Sequence, residues 1–188
     1  MKSCAFLGDE KDDYIKYQEY IGILVAELVE EQDYTQFYSA DESAFDLICM
    51  NSLRYFVERY PIKNTLVNVC PSTDEEEYGL PPAYHESVYL LDKPMPFRRA
   101  LIKTYKAMID RVDTVLVAVN RRHGLAWRAV RYARRKKKRV INIYDGYTKE
   151  WDEHMETARW FRKMVGLPDP EELQRQKIEK FIEKINGR

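Results

Sequence analysis

Three loops in this sequence carry residue types able to hold an anion or a sugar hydroxyl, and each follows a short apolar run. The strongest is Asn120-Arg121-Arg122-His123-Gly124, in which two guanidinium groups precede a glycine able to adopt positive φ, just where a helix is expected to begin. A helix N-terminus aims backbone N–H groups and a partial positive charge outward, which suits a phosphate or a carboxylate. The plainer reading is a pair of solvated loop arginines. The other two loops are acidic, with Asp9, Glu10, Asp12 and Asp13 in the first, Asp41 and Glu42 in the second, and Asp46 a turn later. Acids at such positions ordinarily cap helices, each worth about 0.3–1 kcal/mol. Beside the arginines they would also make a cleft of mixed sign, a carboxylate accepting from a ribose hydroxyl and an arginine holding a phosphate. Two carboxylates in one cleft could instead cleave a glycosidic bond, one as acid and one as nucleophile.

Two further groups of residues are weighed against chemistry and set aside. The run Arg134-Arg135-Lys136-Lys137-Lys138-Arg139 looks like a nucleic-acid patch in one dimension. It is expected to span a helix C-terminus, where cations offset the dipole, at the end of the sheet opposite the loops above, in surroundings without aromatic rings for base stacking. Nucleic acid is therefore not expected as a partner. Cys4, Cys49 and Cys70 are odd in number, far apart and embedded in apolar segments, so they read as buried thiols of a cytoplasmic protein. With only three histidines to supplement them, no metal site is expected.

The elements that must position these loops follow from periodicity. Extended runs are expected at Ser3 to Leu7, Tyr34 to Ser39, Thr65 to Val69, Ser87 to Leu91, Asp113 to Val119 and Arg139 to Tyr144. The third, apolar throughout, reads as a central parallel strand buried on both faces. Between the runs lie helical stripes: Tyr14 to Leu28, a mostly apolar helix from Asp41 through Phe56 that Tyr60-Pro61 stops, Phe97 to Arg111, and Gly124 through Ala133. Residues 71–84, with their acidic run and Pro81-Pro82, read as a loop. Strand and helix alternating in this way imply right-handed βαβ units and an α/β parallel sheet covered on both faces. In such a sheet, ligands sit beyond the carboxyl ends of the strands, where the strand order reverses, which selects the three loops. Beyond residue 145, two further helical stripes through Trp151 and Ile185 make an extension, packed on the sheet or on a second copy of the chain as a homodimer.

Composition bounds the rest. The 188 residues, 45% apolar and 33% charged, suit one folded domain with a small helical appendage. The net charge of zero hides an asymmetry, because the 89 residues before Leu90 carry 6 basic and 18 acidic side chains and the remainder reverses that balance. Folding is expected to cancel these charges locally, in a mixed-sign cleft that brings Asp9, Asp41 and Asp46 to the same edge as Arg98 and Arg121. No apolar run approaches the ~20 residues of a membrane helix, so no membrane partner is expected.

At the selected loops the sequence resembles the SLOG superfamily, the Rossmann-like group that includes YpsA-like proteins, the LOG enzymes and DprA, and most closely the YpsA-like branch. The pattern Cys-x-Phe-Thr-Gly-His-Arg corresponds to Cys4-Ala5-Phe6-Leu7-Gly8-Asp9-Glu10, and Ser-Gly-Gly-Ala-x-Gly-x-Asp corresponds to Ser39-Ala40-Asp41-Glu42-Ser43-Ala44-Phe45-Asp46. Arg98 to Ile109 followed by Asp113-Thr114-Val115-Leu116-Val117-Ala118 matches a third segment, and Gly124-Leu125-Ala126 with Tyr132-Ala133-Arg134-Arg135 a fourth. The resemblance covers roughly three quarters of the chain, and several family glycines are replaced, by Ala40, Asp41 and Ala44 among others. It implies a Rossmann-like three-layer fold over residues 1–145, a helical extension over 146–188, and a small nucleotide-derived ligand held near Gly8, Asp9, Ser39, Asp41, Asp46, Arg98, Asn120, Arg121 and Gly124. The cofactor, if any, is left unknown. An N-glycoside-cleaving enzyme and a non-binding structural protein are the alternatives. The Pro-Gly-Gly-x-Gly-Thr-x-x-Glu motif of LOG enzymes does not occur, which argues against their activity.

Overall fold

Thr114 to Ala118 and Ser3 to Gly8 are buried at every position, a pattern that only a strand covered on both faces requires. These two runs form the centre of a six-stranded, wholly parallel sheet in the computed structural model, which describes residues 1–8, 14, 17–40, 43–69, 80–81, 84–93 and 95–146. The strands are β1 (Lys2–Gly8), β2 (Tyr34–Ser39), β3 (Lys63–Asn68), β4 (Glu86–Tyr89), β5 (Thr114–Ala118) and β6 (Arg139–Asn142), in the order β4-β3-β2-β1-β5-β6. The chain is an α/β Rossmann-like fold, as the alternation of elements requires. Its order reverses between β1 and β5. The chain divides after Gly146, and the expected extension from Tyr147 onward lies outside the described residues, as does most of the expected loop 71–84.

Helices α1 (Gln18–Ala26) and α2 (Ala44–Leu53) pack together, as do α3 (Phe97–Arg111) and α4 (Gly124–Arg135), so each face of the sheet receives one pair. In α3 the buried residues Ala100, Leu101, Thr104, Tyr105, Met108 and Ile109 recur at helical spacing and meet Val115 and Val117 of β5. In α4 the inner stripe is small, with Ala126, Ala129, Val130 and Ala133, which lets its backbone lie close to the sheet and to α3. The starts of β1 and β5 are tied by Asp113, whose Oδ2 accepts from the Ser3 N–H at 2.9 Å and the Ser3 hydroxyl at 3.0 Å.

Three expectations shift in the structure. The helix expected through Leu28 leaves α-geometry at Glu27, where a π-turn over Glu27–Glu31 is closed by the Gln32 N–H donating to the Glu27 carbonyl at 3.1 Å. Leu28 and Val29 are both buried within this turn. The strand expected to be buried on both faces, β3, lies one place from the sheet edge, and within the expected run Leu66 and Asn68 are only half-buried. The last strand stops at Asn142 and turns into the short helix α5 (Ile143–Gly146). Cys4 and Cys49 are fully buried, and burial pushes the Cys4 thiol up to about 12 and the Cys49 thiol well above its usual range, so both are inert core groups. Cys70 lies outside the described residues.

Candidate functional site

Parallel strands put every β-to-α loop at one edge of the sheet, and the reversal between β1 and β5 opens a crevice there. Gly8 ends β1 and pairs in register with Ala118, the end of β5. The Asn120–Gly124 loop leaves from that point, and its five residues are exposed. Gly124 opens α4 with φ 93°, a backbone state that favours glycine, and places the extended His123 before the first turn. The N-cap His123 makes no side-chain cap hydrogen bond and no acidic residue lies in the first turn of α4, and Arg121 and Arg122 are exposed just before it.

What fixes this loop is a residue that periodicity did not single out. Asn142 reaches across from the end of β6, its Oδ1 accepting from the Val119 N–H at 3.1 Å and its Nδ2 donating to the Val119 carbonyl at 3.0 Å. One side chain thereby satisfies both backbone groups of Val119, the residue that follows β5, leaving the loop to start from a fixed point. The available signal was an amide in an otherwise apolar strand, Val140-Ile141-Asn142-Ile143. Tyr14, which periodicity placed first on the helical stripe through Leu28, lies ahead of α1 and also reaches this edge. It is fully buried, its hydroxyl donating to the Ala118 carbonyl at 3.4 Å and its ring meeting Phe45 edge-on at 5.6 Å, so it closes the floor of the crevice.

The other expected residues divide by depth. Ser39 ends β2 and is fully buried. Asp46 is fully buried in the first turn of α2, its N–H donating to the hydroxyl of Ser43, the N-cap, at 3.2 Å. A side chain at Gly8 would collide with Ser43 and Phe45, so the close approach at this glycine is made by the chain itself. Arg98 is exposed in the first turn of α3, and Thr104 further along that helix donates to the Val69 carbonyl at 3.4 Å, which sets this end of α3 over the β3 side of the edge. The structure thus groups Gly8, Asn120, Arg121 and Gly124 at the reversal, and Arg98 lies apart in sequence on α3, whose Thr104 reaches the end of β3. Asp9 and Asp41, and with them two carboxylates of the expected mixed-sign cleft, lie outside the described residues.

The stretches of sequence that supply the two helix pairs differ in charge. From Phe97 to Asn142 the sequence holds fifteen basic and two acidic residues, and this stretch supplies α3, α4 and their strands. From Tyr17 to Tyr60, the stretch of α1 and α2, it holds nine acidic and two basic. The run Arg134 to Arg139 does lie at the C-terminus of α4, opposite the crevice, as expected. Its surroundings are not free of aromatic rings, however. Arg135 lies 5.8 Å and Lys136 5.3 Å from the Tyr132 ring centre, Lys106 of α3 reaches the same ring at 5.4 Å, and Arg134 lies 5.8 Å from Trp127. Most of this follows from helical spacing, since Tyr132 lies three and four residues before Arg135 and Lys136 and Trp127 seven before Arg134, whereas Lys106 comes from another helix.

No family model and no curated protein matches the chain in sequence. Its fold is similar to that of DNA processing protein A (DprA) from Streptococcus pneumoniae, with a TM-score of 0.58 at 10% identity over 84% of this chain. It is also similar to DprA from Helicobacter pylori, which binds single-stranded DNA, with a TM-score of 0.53 at 17% identity over 75% of the chain. The target TM1055 follows at a TM-score of 0.50, 14% identity and 74% of the chain, itself covered over 72%. The chain spans only 56% of the Streptococcus and 64% of the Helicobacter protein. The expectation that set nucleic acid aside as a partner is withdrawn, because these neighbours include a single-strand DNA binder and the basic run is interleaved with aromatic rings. No described helix is long and apolar enough to cross a membrane. At these identities the likeness shows one thing, a Rossmann-like fold of the kind DprA has.

Proposed function

We propose that the chain binds the phosphate of a small nucleotide-derived ligand at the start of α4, in the crevice between β1 and β5. The observation that carries this reading is the α4 N-terminus at the reversal of strand order, opened by Gly124 at φ 93°, without a side-chain cap from His123 and flanked by Arg121 and Arg122. Asn142 supports it by holding the end of β5 through both backbone groups of Val119, so little loop ordering remains to oppose binding. The placement in the YpsA-like branch, with residues 1–145 as the ligand-binding body, goes with this proposal and rests on the motifs around Gly8, Ser39 and Gly124.

The test is thermal unfolding with AMP, ADP, NAD and ADP-ribose. A ligand at a hundred times its dissociation constant adds ~2.7 kcal/mol, a rise of several degrees for a chain of this size. The Arg121→Ala/Arg122→Ala variant is expected to unfold at the unliganded temperature and to lose most of that rise. If millimolar concentrations of all four leave the wild type unmoved, the reading is wrong.

A further inference from the structure

We propose that the outer face of the α3–α4 pair is a docking surface for the phosphodiester backbone of single-stranded nucleic acid, separate from the crevice at the start of α4. Arg128, Arg131 and Arg135 are exposed and recur at three- and four-residue spacing, so they form one stripe along α4. Lys103 and Lys106 extend the charge onto α3. The only carboxylate in either helix is Asp110, and it is already engaged, with Lys136 at 3.0 Å and the Tyr132 hydroxyl donating at 2.8 Å.

Such an arrangement is costly unless an anion meets it. Lys106, Arg135 and Lys136 are gathered around one tyrosine ring within 5.8 Å, and each repels the others. The ring and Asp110 offset part of that repulsion and hold the cations in place. A further sign is Lys137, which closes α4 at φ 57°. The N–H of Lys138 donates to the Ala133 carbonyl at 3.0 Å and that of Lys137 to the Arg134 carbonyl at 3.1 Å, the helix ending in which glycine is the favoured residue. A lysine here costs about 1 kcal/mol of backbone strain.

The chemistry of the face selects the partner. The apolar stripe of α4 is buried against the sheet, which leaves no hydrophobic face to enter a lipid surface. The half-exposed Trp127 and Tyr132 rings among the cations offer the mixture of charge and π-surface that single-stranded nucleic acid uses. The stripe runs from Arg128 to Arg135, roughly 6 to 17 Å along α4 from Gly124, so a strand on its C-terminal part need not occupy the crevice.

Fluorescence anisotropy with a labelled oligothymidylate and the full chain tests the proposal. Binding is expected to weaken steeply with salt, with a log–log slope of about −3 for four to five phosphates engaged. Arg128→Gln/Arg131→Gln/Arg135→Gln is expected to weaken it at least ~10-fold and to flatten the slope by about 2. Lys103→Gln/Lys106→Gln supplies an independent variant should the triple fail to fold, and it too is expected to bind several-fold more weakly. Arg54→Gln/Arg59→Gln, which removes equal charge from the α1–α2 side, is expected to bind as the wild type does. Saturating AMP is expected not to displace the oligonucleotide, so failure of the crevice reading and failure of this one remain distinguishable. The proposal is overturned if the α4 and α3 variants bind as tightly as the wild type, if the Arg54/Arg59 control loses as much, or if phosphatidylserine vesicles bind and the oligonucleotide does not.

Discussion

A Gly8→Ala variant is expected to unfold about 3 kcal/mol more easily than the wild type, a fall in Tm of roughly 6–12 °C for a chain of this size. The added methyl would lie 2.6 Å from Phe45 Cβ and closer still to the Ser43 hydroxyl. Phe45 Cβ is fixed to the backbone of α2, so no rotamer change relieves the clash and the start of the helix must move off β1. That movement opens the hydrogen bond from the Asp46 N–H to Ser43, a cap worth about 1 kcal/mol, and disturbs the edge contact of Phe45 with Tyr14. Gly22 supplies the contrast. It lies inside α1, where a methyl meets only the Ser52 hydroxyl at 3.8 Å, so Gly22→Ala is expected to gain about 1 kcal/mol. Thermal or denaturant unfolding of both variants checks the pair. Equal effects would mean that α2 does not seat on Gly8 in this way.

The second large effect is expected at Asn142. Asn142→Ala removes both partners of the Val119 backbone at once and is expected to cost about 2–3 kcal/mol in denaturant unfolding. Because those bonds also fix the start of the Asn120–Gly124 loop, the nucleotide-induced rise in Tm is expected to shrink more than the stability loss alone dictates. Asn142→Asp separates the two roles. One carboxylate oxygen still accepts from the Val119 N–H, but the other faces the Val119 carbonyl, with the Asp145 carboxylate 3.4 Å from that position. Only the protonated acid can donate there, so the folded pKa of the new carboxyl is raised above its unfolded value of about 3.9. Its contribution is therefore full below that unfolded pKa and is lost as pH rises through the folded one. Asn142→Asp should accordingly approach wild-type stability in acid and fall toward Asn142→Ala at neutral pH. Parallel pH profiles for wild type and variant would rule this geometry out.

The two effects also mark where the sequence is readable and where it is not. Burial writes itself into periodicity, so the runs Tyr34–Ser39 and Phe97–Arg111 are legible with their ends, and β5 to within a residue. Alternation of those runs implies the parallel sheet, and the sheet implies the edge at which Gly8, Asn120, Arg121 and Gly124 meet. What periodicity lacks is any record of contacts between elements. Asn142 looks like an interruption in an apolar strand until β5 is laid beside it. The π-turn over Glu27–Glu31 has no spacing signature of its own. Charge alone does not show the layering either, since the acidic stretch of α1 and α2 and the basic stretch of α3 and α4 become opposite layers only because each pair shares one face. The contact of Lys106 with the Tyr132 ring joins two helices and is invisible in either one, whereas that of Lys136 with the same ring is ordinary four-residue spacing.

The central claim, a nucleotide phosphate held at the start of α4, is tested most directly by following backbone amide resonances of isotope-labelled protein during a titration with AMP. A phosphate there accepts from the first free N–H groups of the helix, so the largest shifts are expected at Gly124, Leu125 and Ala126, with smaller ones through Arg121 to His123 and at Val119, and none in α1 or α2. Saturable shifts centred on another part of the fold, or no shift in the first turn of α4 at millimolar AMP, would contradict it.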